Sequence, residues 1–158
     1  MKKICVFSDS HGYPDNMLRA MELEAPDMVI FLGDGESDLI AVKNRFPEAE
    51  YHSVRGNCDY RSAAPLRLLL TVEGVRIFAV HGHEYNVKLD RELTRLRYAA
   101  LEQDAKVVLF GHTHRPFQDW SLGMEILNPG SVGYGPRPSY AVLTIEDGYA
   151  RGELKNLQ

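Results

Sequence analysis

The chain is poor in the features that mark several common protein classes. It has two cysteines, Cys5 and Cys58, in 158 residues. That excludes a disulfide framework and a thiolate zinc knot, and it fits a reducing, cytoplasmic setting. No apolar run approaches the roughly 18 residues that a membrane-spanning helix needs, so no membrane association is expected. The run after Lys2-Lys3 ends at Phe7, too soon for a signal peptide. No basic block accompanies the net charge of −4, which argues against a stable nucleic-acid complex. Arg91, Arg95 and Arg97 cluster, but Asp90 and Glu92 lie among them, and a solvated helix face is the expectation there. No repeat or linker interrupts the sequence, and no Gly-x-Gly-x-x-Gly follows the first apolar run.

What remains is an ordinary globular composition, 44% hydrophobic and 25% charged. One domain spanning 1–158 is expected. Strands are expected at Lys3–Phe7, Met28–Leu32, Tyr51–Val54 and Lys106–Phe110. Three hairpins turn at Glu73-Gly74, near Gly123, and at Asp147-Gly148. Helices are expected from Asp15 to about Glu24, capped by Asp15 or Asn16, and from Ser37 as cap through Phe46. A third should run from about Lys88 to Gln103, with Leu89, Leu93, Leu96 and Ala100 on one face. Strand–helix alternation followed by mostly strand predicts an α+β fold of two packed sheets flanked by helices. Exposed strand edges leave room for a homodimer.

The apolar runs share an ending. They lead into Asp9-Ser-His11, Gly33-Asp34-Gly35, Gly56-Asn57-Cys58-Asp59, His81-Gly82-His83 and Gly111-His112-Thr113-His114. Strand ends are rigid at the backbone and open to the loop, so they suit ligands. Asp9 and His11, like His112 and His114, are two apart and would face one ion if the chain stayed extended. Mixed carboxylate and imidazole donors suit divalent Mn, Fe, Co, Ni or Zn. Two such ions held by only two carboxylates would leave a positive site, which matches a phosphate ester.

These five motifs in this order resemble the calcineurin-like metallophosphoesterases, and the small bacterial YfcE-type phosphodiesterases among them. The resemblance runs from residue 9 to residue 114 and implies a four-layer αββα sandwich with two mixed sheets. It implies that Asp9, His11 and His114 bind one divalent metal, with manganese the first choice. Asn57, His81 and His112 would bind a second, and Asp34 would bridge the two together with a hydroxide that attacks phosphorus. The implied substrate is a small phosphodiester. A phosphomonoester or nucleotide, or a catalytically weak scaffold like the retromer subunit of this fold, is the alternative. Most of the superfamily carries histidine where this chain has Cys58. That substitution disfavours esters with poor leaving groups, since a thiol titrates near 8.5 and imidazole near 6.5. Cys58 and Asp59 join Asp34 and Asn57 as the candidate catalytic group, with Asp59 expected to orient its loop. His83 and Arg137 are the candidate substrate contacts, and residues 128–131 are expected to wall the site through their backbone.

Overall fold

The structure is a computed structural model and describes residues 1–157. Ten strands and three helices follow in the order β1 (Lys2–Phe7), α1 (Asp15–Glu24), β2 (Met28–Phe31), α2 (Glu36–Arg45), β3 (Glu50–Ser53), β4 (Arg67–Val72), β5 (Val75–Val80), α3 (Thr94–Glu102), β6 (Val107–Leu109), β7 (Phe117–Ser121), β8 (Met124–Asn128), β9 (Ser139–Glu146) and β10 (Tyr149–Asn156). They form two five-stranded sheets, ordered β10-β9-β1-β2-β3 and β4-β5-β6-β8-β7. Each sheet is mixed. In each, three neighbouring strands run parallel (β1-β2-β3, and β5-β6-β8), and the other pairings, β10-β9, β9-β1, β4-β5 and β8-β7, are antiparallel.

The apolar runs are explained by what lies on each side of them. Ile4 and Val6 of β1, with Met28 and Ile30 of β2, face the other sheet and meet Ile77, Ala79, Val107 and Leu109. The alternate residues Cys5, Phe7, Val29 and Phe31 face outward and pack on Met17, Ala20 and Met21 of α1 and on Leu39 and Val42 of α2. In the second sheet Phe78, Val80, Val108 and Ile126 pack on Leu96 and Ala100 of α3. A strand buried on both faces needs apolar residues at every position, which is why these segments do not alternate. Helices on the outside of two stacked sheets make the expected α+β sandwich.

Three local expectations are corrected. The first helix begins after Pro14, and no side chain caps it, neither Asp15 nor Asn16. The second is capped at Gly35 rather than Ser37, which lies inside the helix. The third begins at Thr94, six residues later than the periodicity predicts. Leu89 is 81% exposed, and residues 86–93 form turns in which Asn86 and Leu93 adopt positive φ. Arg91 therefore leaves the helix face it was assigned to. Only Leu93, Leu96 and Ala100 of the expected stripe are buried.

Candidate metal centre

All five motifs lie just beyond the C-terminal ends of the parallel strands β1, β2, β3, β5 and β6. That edge is where open sheets with parallel strands place their ligands. Hydrogen bonds between the loops hold them together. Asp9 N–H donates to Gly33 O (2.9 Å), His11 N–H to Asp34 O (3.0 Å), and Gly111 N–H to His81 O (2.8 Å).

The side chains converge closely. His114 Nε2 is 3.2 Å from Asp9 Oδ1, and His11 Nε2 is 3.5 Å from the same oxygen. His81 Nε2 is 3.2 Å from Asp34 Oδ2, with His11 Nε2 3.7 Å from it. His11 Nε2 and His114 Nε2 are 3.3 Å apart, and His81 Nε2 and His112 Nδ1 are 3.1 Å apart. Donor atoms of Asp9, His11 and His114 lie within 4.8 Å of one another, as do those of His11, Asp34 and Cys58, and those of Asp34, His81 and His112.

The extended geometry assumed for Asp9 and His11 does not occur. Asp9, His11, Asp34, His112 and His114 all have positive φ, between 45° and 71°. Left-handed backbone is disfavoured for residues with a Cβ, and where it persists the surroundings hold it in place. Here it turns each strand end sharply, so that pairs two apart in sequence reach one point without an extended segment.

The surroundings that hold it are identifiable. Asp59 accepts four backbone N–H groups: those of Asp34 (2.7 Å) and Gly56 (2.8 Å) on Oδ2, and those of Gly35 (3.0 Å) and Glu36 (3.1 Å) on Oδ1. Its carboxylate thus caps α2 from another loop and accepts from Gly56 N–H in its own. Gly35 must be glycine at φ 154°, because a Cβ would sit 1.8 Å from Ser10 Oγ. Gly56 packs so tightly that a Cβ would meet Asp34 Oδ1 at 2.0 Å. Asp38, which sequence reasoning missed, is buried and accepts from Ser10 Oγ (2.6 Å) and Gly12 N–H (2.8 Å). Asn128, assigned only a backbone role, is fully buried and donates its amide to Gly111 O (3.2 Å) and Thr113 Oγ1 (3.0 Å). Neither residue carries a sequence signal beyond a polar side chain beside an apolar run.

The electrostatics suit a cation. Burial opposes ionisation of Asp34, but the His81 contact and the Cys58 N–H (2.8 Å) hold its carboxyl well below the usual range. Asp9 is held low in the same way, burial being outweighed by His114, His81 and Ser8. His81 Nδ1 donates to Leu32 O at 2.7 Å, which fixes the tautomer and turns the Nε2 lone pair inward. Burial lowers the His81 pKa, but Asp34 and Asp9 raise it more. His114 is raised by the nearby Asp9 carboxylate. His112 is lowered to about 4 by burial and by the charge of His81.

Asp9 Oδ1 is buried with no hydrogen-bond partner among the described residues, although three imidazole Nε2 atoms stand 3.2–3.8 Å from it. A buried carboxylate oxygen left without a hydrogen bond among imidazole nitrogens is unfavourable until a positive charge lies between them. The donor set of carboxylate and imidazole therefore fits a divalent metal.

The remaining candidates are placed as follows. Asn57 is exposed on the turn before Cys58, with its amide donating to Cys58 Sγ at 3.6 Å. Cys58 is exposed, and its thiol pKa is raised by desolvation and then by Asp34. His83 sits at the rim, its ring 5.4 Å from that of His81, and its Nδ1 is buried and unpartnered among the described residues. Burial and the charge of His81 lower its pKa. Arg137 is not brought to the cluster by any hydrogen bond or ion pair among the described residues, and lies exposed between β8 and β9. His52, outside the cluster, contacts Glu50 Oε2 at 2.6 Å.

Residues 1–148 match the calcineurin-like phosphoesterase superfamily domain. The chain belongs to that superfamily of metal-dependent phosphoester hydrolases. It is 33% identical over 149 residues to YsnB of Bacillus subtilis, described as a probable metallophosphoesterase, covering 91% of this chain and 85% of that one. It is 29% identical over 171 positions to phosphodiesterase YfcE of Escherichia coli, covering 90% and 88%. The crystal structure of a predicted phosphoesterase from Streptococcus pneumoniae superposes with a TM-score of 0.80 at 28% identity, over 98% of this chain and 89% of that one. Vps29 of Entamoeba histolytica in complex with zinc also superposes, with a TM-score of 0.76 at 22% identity over 98% of each chain. That likeness shows the fold alone.

Proposed function

We propose that the chain is a binuclear metal-dependent phosphodiesterase acting on small diesters, with the 158 residues working as one domain. The observation that carries this reading is the sharing of Asp34. It belongs to the donor group of His81 and His112 and also to the group containing His11, which in turn meets Asp9 and His114. Two adjacent cation positions joined by one carboxylate account for that pattern. Asp9, His11 and His114 would hold the first cation, Asn57, His81 and His112 the second, and Asp34 both. Manganese is the first choice, and Ni, Co, Fe or Zn also fits these donors.

When bound, the cations supply an activated water and a positive clamp for the phosphoryl group. The chain's own residues set the conditions. Asp34 and Asp9 stay ionised across the neutral range. The Leu32 carbonyl keeps the His81 lone pair aimed inward. His83, its ring 5.4 Å from that of His81, would be the contact to a phosphoryl oxygen. Cys58 adjoins the cluster with a thiol whose pKa is raised, so it is a weak proton donor to a departing alkoxide. That favours diesters with good leaving groups over monoesters that need protonation. Two free cysteines agree with a reducing cytoplasm.

The test is metal analysis of the purified protein together with hydrolysis of a nitrophenyl diester in added manganese. The expected result is bound metal and turnover in the wild type, with neither in Asp34→Asn. Absence of both from the wild type would sink the enzyme reading and leave the scaffold.

A further inference from the structure

Two openings lie near the metal cluster, and they differ in charge. One, of about 550 Å³, lies against α2 and the loop after β3, and carries Asp34, Glu36 and Asp59 with Arg61 as its one cation. The other, of about 530 Å³, lies between the turns that precede α3 and the segment that follows His114. Its floor and walls are apolar, formed by Leu93, Phe110 and Phe117. Lys88, Arg91 and Arg115 line it, and none of the three makes an ion pair among the described residues. Asp90, its one carboxylate, is turned toward the start of α3 and accepts from Arg95 N–H at 3.3 Å.

This groove adjoins the cluster along the chain. Thr113 lies in its wall and sits between His112 and His114 in the chain. Lys88 and Arg91 reach the groove because the chain turns at 86–93 instead of continuing the helix. In a chain of net charge −4, three uncompensated cations beside an apolar floor form a local exception that calls for an anionic partner.

We propose that this groove receives one ester substituent of the substrate, and that the substituent has an apolar or aromatic face and a second anionic group. The apolar face would lie on Leu93, Phe110 and Phe117 while Arg91, Arg115 and Lys88 hold the second anion. Two guanidinium groups in one groove suit a phosphate better than a single point charge would. This inference rests on the phosphodiesterase reading for the position of the first phosphate. It deepens that reading by naming the substrate class as compounds with two anionic groups bridged by a flat body.

The test measures binding and turnover separately. Thymidine 5′-phosphate and thymidine 3′,5′-bisphosphate differ by one phosphate, and their affinities for the manganese-loaded protein are read by calorimetry. The second phosphate should tighten binding roughly tenfold, the effect of one charge-assisted contact. In Arg91→Gln/Arg115→Gln the ratio should fall to about one. Arg61→Gln, on the opposite opening, should keep it. Both substitutions are of exposed side chains, and circular dichroism checks that each variant is folded. Equal affinities in the wild type, no binding of either nucleotide, a preference that survives the double substitution, or its loss in Arg61→Gln would each overturn the groove assignment. In parallel, the p-nitrophenyl ester of thymidine 5′-phosphate tests hydrolysis. Failure there with the binding ratio intact would count against the phosphodiesterase reading and leave the groove standing.

Discussion

Replacing Asp59 with asparagine exchanges one oxygen for one amide nitrogen at nearly constant volume. Asp59 accepts two backbone N–H groups on each oxygen. Whichever way the asparagine turns, two of those donors face another donor. Each is a charge-assisted bond of about 1.5 kcal/mol or more, and α2 also loses the negative charge at its N-terminus, about 0.5 kcal/mol. The loss is about 3 kcal/mol after allowing for the site's partial exposure. At this chain length roughly 2–4 °C accompanies each kcal/mol, so the melting temperature should fall by about 6–12 °C. The function should fail further than the fold, because Asp34 N–H and Gly56 N–H are the donors that set the Asp34 turn. Outer contacts of this kind are worth roughly 10- to 100-fold in metal affinity. Differential scanning calorimetry and a manganese titration measure the two effects on one sample. A melting temperature within about 2 °C of wild type together with unchanged manganese affinity would show that Asp59 neither caps α2 nor sets the ligand turn.

Glu24 is a second test of buried charge. It accepts from Tyr140 (2.6 Å), Lys3 (3.0 Å) and Lys155 (2.9 Å), which outweigh its burial and lower its pKa from 4.5 to about 2. A depressed carboxyl stabilises above its ordinary pKa and loses that contribution as pH falls through about 2. Wild type should therefore lose about 3 kcal/mol between pH 5 and pH 2 from this group, and Glu24→Gln, weaker at pH 7, should lose correspondingly less in urea melts. For the metal site, the raised pKa values of His81 and His114 mean that protons compete with metal from above the ordinary imidazole range downward. The acid limb of activity should shift to lower pH by about half a unit for each tenfold rise in manganese, if two protons are displaced. A limb indifferent to manganese would contradict the ligand assignment. Cys58→His should raise turnover of esters with poor leaving groups roughly tenfold or more, while nitrophenyl diesters change little. Equal rates on both classes would remove the explanation offered for the thiol.

The sequence determined the strands, their burial and the identity of the candidate metal donors. Continuous apolar runs such as Ile4–Phe7 and Met28–Leu32 have one comfortable location, between a helix layer and a second sheet, and the donors follow those runs directly in the chain. Period alone could not fix the start of α3: Leu89 keeps the helical spacing, but the turns at 86–93 leave it in solvent and place Lys88 and Arg91 in the groove beside Phe110 and Phe117. Local rules placed a cap at Ser37, whereas α2 takes its cap from Asp59, more than twenty residues away. The left-handed turns at Asp9, His11, Asp34, His112 and His114 were equally hidden. Such backbone is unfavourable for each residue by itself and is held by contacts between loops, so only the assembled tertiary structure decides it.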